Sequence, residues 1–261
     1  MTWRHKVEPW LRFFRIVNLP TVPGDVLVGA AAVVAFDGGT VAGWATAAVC
    51  AASCLFYLFG LADNDIVGAV TDSGRPIPDG EISMRAAKAT RAACLTLGMI
   101  TFAAAGALQH FPNSSRWTTL LPVLATALCL VSAICIYNRT KHYVTMGLCR
   151  GVNVLLGATA AMSGKGWTDA SLQAMIAVAV VAMAWTIYIS ALTKYSEGEE
   201  TDPIRRRRTG ILVGGIVYLQ LTALVAFSFL GRPVNNLLVA GAALLLARRI
   251  LIVTLPKVSS S

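Results

Sequence analysis

Eight runs of about 20 mostly apolar residues follow one another along this chain, near 13–36, 41–62, 86–109, 117–137, 143–163, 170–193, 209–230 and 233–254. A bilayer core about 30 Å thick is crossed by about 20 residues of helix. Strand-like alternation is absent, which argues against a β-barrel. The expected fold is therefore all-α: a polytopic membrane helix bundle of about eight transmembrane helices, residues 1–261 forming a single domain. Charged residues make up only 13% of the chain, about half the share that covers a soluble domain. That excludes a soluble enzyme, a disordered chain and a secreted disulfide scaffold. Cys50, Cys54, Cys94, Cys129, Cys135 and Cys149 all fall in apolar stretches without a CxxC pair, and are read as membrane-buried thiols rather than a zinc or disulfide framework.

A net charge of +9 suggests nucleic acid at first. In so apolar a chain, an excess of Lys and Arg on one membrane face explains it better. Placed on eight spans, all 22 Lys and Arg residues except Arg116, Arg150, Lys165 and Arg232 fall on one side. The positive-inside rule makes that side cytoplasmic, puts both termini there and suits a bacterial inner membrane. The basic N-terminus has no small-residue cleavage site, so the first span is expected to be retained.

Some polar residues are not explained by membrane insertion. Asp63, Asn64 and Asp65 interrupt the end of the second apolar run, and Asp72 follows seven residues after Asp65. On a continuing helix, Asn64, Asp65 and Asp72 would share a stripe with the two aspartates about 10 Å apart, too wide for one magnesium ion. They would then hold two sites or one site completed from elsewhere; the alternative is a solvated helix end before an Arg-Pro-Ile-Pro-Asp-Gly turn. Thr193 and Glu197, four apart, lead a second acidic group with Glu199, Glu200 and Asp202, next to the basic run Arg205 to Arg208 that would neutralise it if it is only a solvated face. Asp25 follows Pro23-Gly24, where the helix is expected to break, with Asp25 capping its restart. Arg150 lies well inside the fifth span, with Asn153 on the same face and Lys141 at the span's edge. An arginine there needs a partner or a polar cavity; helix-packing glue and phosphate binding both remain open.

Together, two acidic groups on one face with basic residues between them suit a metal–diphosphate above a lipid-sized apolar cavity. Magnesium would bridge diphosphate oxygens to carboxylates that otherwise repel them. A dry cavity would keep water from an allylic cation.

These residues resemble the UbiA superfamily of intramembrane prenyltransferases. The family's Asn-Asp-x-x-Asp-x-x-x-Asp run is matched by Asn64, Asp65 and Asp72, and its Arg-Pro-Ile-Pro-Ser-Gly turn by Arg75-Pro-Ile-Pro-Asp-Gly80 with Ile82-Ser83. Arg15-Ile-Val-Asn-Leu-Pro-Thr-Val-Pro-Gly-Asp25 is similar to the family's first span, and Tyr137-Asn-Arg-Thr-Lys141 to its fourth-to-fifth connector. The Gly147-to-Gly157 run looks closest to the EboC-like branch. The resemblance covers most of residues 12–254. It implies a prenyltransferase: Mg2+-dependent transfer of a prenyl group from an isoprenoid diphosphate to a small-molecule acceptor, aromatic or lipid-like, with no nucleic-acid partner. It further implies Asn64, Asp65, Asp72 and Glu197 as metal ligands and Asp65, Asp72, Lys141 and Arg150 as catalytic residues. Asn64, Arg75, Asn153 and Thr193 would contact substrate. Two departures stand out: Gly68 occupies the place of the family's central aspartate, and the segment between Asp72 and Arg75 is several residues shorter. They motivate the alternative of a catalytically weakened protein that binds or helps export a lipidic metabolite. A small transporter built on a broken first span is a third reading.

Overall fold

The computed structural model describes residues 4–38, 43–70, 72, 74–108, 116–162, 170–198, 202–231 and 234–255. Among them are nine α-helices and two 3-10 turns: α1 (Arg4–Phe13), α2 (Thr21–Asp37), α3 (Gly43–Val67), α4 (Met84–Leu108), α5 (Arg116–Thr140), α6 (Tyr143–Met162), α7 (Leu172–Ser196), α8 (Pro203–Leu230) and α9 (Asn235–Thr254). Eight are long and apolar enough to cross a membrane. The chain is an integral, multi-pass membrane protein. All six cysteines are free thiols, as expected. Lys165, Arg232 and Lys257, part of the charge reading, lie outside the described residues.

The helices surround α2. Nearly every residue of α2 is buried, as expected of a helix apolar on all sides, and it packs against α3, α6, α7, α8 and α9. Helices α4 and α5 close the far side through α3 and α6. The tightest contact joins α2 to α6. A Cβ on Gly29 would collide with the Val154 carbonyl, and one on Gly157 with the Val26 carbonyl. Small residues let membrane helices approach this closely. Because both obstacles are backbone, Gly157→Val is expected to cost at least the about 1–3 kcal/mol usual for overpacking. Gly210→Ala, where a Cβ meets nothing within 4 Å, should leave the unfolding temperature in detergent unchanged or higher.

The first apolar run differs from its expected form. It divides into α1 and α2 at an elbow, with a 3-10 turn at Ile16–Asn18 and Arg15 in the left-handed region at φ 41°. Helix α2 then runs unbroken through Pro23-Gly24. Pro23 lies in the first turn, where a missing N–H breaks no helical bond. Asp25 is thus inside the helix rather than its cap, and the broken helix behind the transporter reading is absent.

The connector from α3 to α4 is held in place. Ile77 and Ile82 are buried with Phe13 and Ala62, and Trp10 and Phe14 of the α1 end pack on them. Ile82 N–H donates to the Pro76 carbonyl at 2.9 Å, and Gly80 closes the turn at φ 73°. Arg12 pairs with Glu81 across the same contact. The Arg-Pro-Ile-Pro-Asp-Gly segment therefore fixes where Arg75 stands.

Candidate active site

Asn64 and Asp65 end α3 and are buried, Asp65 being only 4% exposed. The α-helix stops at Val67 and tightens into a 3-10 turn over Gly68–Val70. Asp72 N–H donates back to the Gly68 carbonyl at 2.9 Å, and the Asp72 carboxylate rests where a Cβ of residue 68 would be. The two aspartates are thereby closer than a continuing helix would put them. One guanidinium spans them: Arg75 Nη1 donates to Asp65 Oδ1 at 2.7 Å, and Nη2 meets Asp72 Oδ2 at 3.1 Å. The expected separation of about 10 Å is replaced by the width of one arginine head, because Gly68 lets the chain fold back.

Lys141 joins the cluster from the α5–α6 turn, its ammonium donating to Asn64 Oδ1. Burial, with the Arg75 charge adding to it, holds this lysine below the ordinary range for an ammonium group. Lys141 and Arg15 are the two non-glycine residues with positive φ among those described, at 52° and 41°. Holding an L-residue there costs about 1–2 kcal/mol, and such strain concentrates at functional sites. Both strained residues are cations at one mouth. The Arg15 guanidinium lines the cavity described next and has no hydrogen-bond or ion-pair partner among the described residues.

Below this mouth lies a cavity of about 110 Å³ between α2, α3, α5 and α6. Leu61, Leu130, Ile134, Met146 and Cys149 supply apolar wall; Asn64 and Tyr137 stand at its basic end, and Ser53, Arg150 and Asn153 reach it deeper in the bundle. Arg150 already has a partner. Its Nε lies 2.8 Å from Asp25 Oδ2, its Nη2 donates to Asp25 Oδ1 at 3.0 Å, and Nη2 also reaches the Thr21 carbonyl at 2.8 Å. Asn153, Trp185 and Gln220 each donate to Asp25 as well, at 3.1, 2.9 and 2.7 Å. Ser53 donates to Asn153 Oδ1 at 2.6 Å. A fully buried carboxylate thus ties α2 to α6, α7 and α8, and forms a polar floor with Arg150 and Asn153.

Asn64, Asp65, Asp72, Arg75 and Lys141 are therefore gathered at one point, and of these Asn64 lines the cavity, with Arg150 and Asn153 deeper in it. Thr193 and Glu197 are not among its lining residues. Glu197 caps the end of α7 in the open, its carbonyl accepting from Arg205 at 2.5 Å. Among the described residues no three Asp, Glu, His or Cys side chains gather around a possible metal position, and Glu197 stands apart from Asp65 and Asp72. The reason is local: α7 ends at Ser196, and the chain turns away through Gly198 at φ 81° into α8, capped by Asp202. Glu199 and Glu200 lie outside the described residues. Asp63 also has a different task. It accepts from Arg91 and Asn138, each at 3.0 Å, and so clamps α3 to α4 and α5.

Sequence reasoning assigned no role to Arg15, Tyr57 or Asn138, which also line the cavity. The signal for Arg15 was its place at the head of the Arg15-to-Asp25 stretch. What hid it is the left-handed elbow, which turns the residue from tail to cavity wall.

No protein-family model matches the chain, and no curated protein matches its sequence. By fold it is similar to solved structures over almost its whole length. A digeranylgeranylglyceryl phosphate synthase shares 18% identity at a TM-score of 0.52, covering 98% of this chain and 91% of the other. A UbiA homolog from Archaeoglobus fulgidus, bound to GPP and Mg2+, shares 14% identity at a TM-score of 0.51, covering 95% and 87%. Another structure of a UbiA homolog from Archaeoglobus fulgidus gives 13% identity and a TM-score of 0.50, with equal coverage. The fold is that of the UbiA-like membrane prenyltransferases.

Proposed function

We propose that this chain transfers a prenyl group, inside the membrane, from an isoprenoid diphosphate to a small aromatic or lipid-like acceptor. We place it in the UbiA superfamily, nearest the EboC-like branch on its Gly147-to-Gly157 run, as one prenyltransferase-like domain. The excess of Lys and Arg puts the cavity mouth and both termini in the cytoplasm, at a bacterial inner membrane. The observation that carries the reading is the cation-rich mouth above an apolar cavity, with Arg75 held between Asp65 and Asp72.

In this reading Arg15 and Lys141 attract the diphosphate, and the apolar wall of Leu130, Ile134 and Met146 takes the prenyl tail. The donor's carbon–oxygen bond breaks with its electron pair leaving on diphosphate. Guanidinium and ammonium groups preorganised at the mouth stabilise that charge. The apolar wall keeps water from the cation until an acceptor atom forms the new bond and gives up its proton to the released diphosphate. Asp65, Asp72 and Asn64 fit a magnesium ion: a cation already lies between the two acids, and magnesium is commonly held by one or two carboxylates with substrate phosphate and water. When bound, magnesium supplies further neutralisation of the diphosphate. Arg75, which holds Asp65 and Asp72, would be a further donor to diphosphate if a metal took its place between the acids. The Glu197 role is not carried forward.

A second reading, binding or export of a lipidic metabolite without chemistry, is favoured by the same Arg75, which already neutralises both acids where Gly68 removes a third. Thermal unfolding in detergent separates them. For an enzyme, GPP with magnesium should stabilise the protein by about 2.7 kcal/mol at about 100 times Kd, and a chelator should remove that gain. Stabilisation by GPP that ignores the chelator, or no stabilisation at millimolar magnesium, would overturn the enzyme reading and favour the second.

A further inference from the structure

Arg248 and Arg249, counted with the basic side of the membrane, both lie within α9. Arg248 is six residues before Thr254, about 9 Å along the axis. Neither α8 nor α9 contains an Asp or Glu, so this pair of helices cannot answer the charge itself. Its surroundings do not answer it either. The ionisable groups acting on Arg248 are Arg249 and Tyr218, and neither arginine forms an ion pair among the described residues. The Arg248 Nε is buried without an acceptor.

The seam between α8 and α9 nevertheless holds both heads in place. Arg248 lies over Gly214, where a Cβ would come within 3.2 Å of Nη1 and 3.5 Å of Nη2. Arg249 Nη2 donates to the Tyr218 hydroxyl at 2.9 Å. Gly214 and Tyr218 are one turn apart on α8, so they present the two guanidinium groups side by side. Two like charges held side by side near the end of a membrane helix favour an anion between them. Ile211, Leu219, Leu246 and Ile250 flank the seam with exposed apolar side chains, so that anion must carry a tail.

We infer that the α8–α9 seam is a binding site for an anionic phospholipid, its phosphate gripped by Arg248 and Arg249. The phosphate accepts from both guanidinium groups, whose planar donor forks match its oxygens. The acyl chains lie along Leu246 and Ile250. Long arginine side chains near the end of a membrane helix reach the level of lipid phosphates. This site is separate from the cavity between α2, α3, α5 and α6, so it stands whether or not the prenyl-transfer reading does.

The test is native mass spectrometry of the delipidated protein in detergent, titrated with phosphatidylglycerol or phosphatidylcholine. The wild type should retain phosphatidylglycerol preferentially. Arg248→Gln and Arg249→Gln should each reduce that retention about fivefold, the weight of one basic side chain near anionic lipid. Arg207→Gln, exposed at the start of α8, should leave it unchanged. Excess inorganic phosphate should not displace the lipid; if it does, the site takes free anions and the lipid assignment fails. Equal retention of both lipids by the wild type, or full retention by the double Gln variant, would also overturn it. The lipid comparison on unaltered protein decides the matter even if the variants unfold.

Discussion

Replacing Asp65 by alanine is expected to reduce turnover of GPP, measured as diphosphate release, by at least about 100- to 1,000-fold, the scale on which lost charge stabilisation is felt. Asp72→Ala should do the same. Both proteins should remain folded in detergent, because each loss still leaves Arg75 one carboxylate partner. Asp63→Ala gives the contrast. Its carboxylate holds Arg91 and Asn138 rather than the mouth, so it should lower the unfolding temperature first and activity through it. Full diphosphate release by both the Asp65 and Asp72 variants would remove the two acids, and the metal role given to them, from the chemistry.

The largest effect on stability is expected at Asp25. Its carboxylate is fully buried and bonded to Arg150, Asn153, Trp185 and Gln220. Asp25→Ala strands the Arg150 guanidinium in the bundle and should cost about 3–5 kcal/mol, the usual penalty for breaking a buried pair from one side. Unfolding in detergent measures it. The double variant Asp25→Leu, Arg150→Met should recover much of the loss, since apolar replacement of a whole buried pair is often close to neutral. Single and double variants equally unstable would mean that the network contributes through its other hydrogen bonds rather than through the pair.

The spans were legible because they depend on composition and length alone, and the charges at their ends follow the same logic. Asn64, Asp65, Asp72, Arg75 and Lys141 were legible as a group because they crowd two short connectors. Their geometry was not. Whether Asp72 continues along a helix or folds back over Gly68 depends on a turn anchored by Ile77, Ile82 and Phe13, a contact set by tertiary packing. Arg150 was recognised as needing a partner, yet that partner lies 125 residues earlier, and Asp25 looked like a cap because Pro-Gly ordinarily breaks a helix. Glu197 was legible only as four residues from Thr193 on one helical face; that α7 ends at Ser196, one residue short of it, was not.

The enclosed position of α2 sets a problem of timing during biogenesis. This segment is synthesised before nearly all the helices that will surround it, and it carries Asp25 into the translocon with its counter-charge 125 residues away. At about 5–20 residues per second the ribosome needs roughly 6–25 s to deliver Arg150. Until then the acid must be neutralised by a proton, wait at the headgroup boundary or be sheltered by an insertase. The helix at the centre of the finished bundle therefore enters the membrane before the partner of its one buried acid has been made.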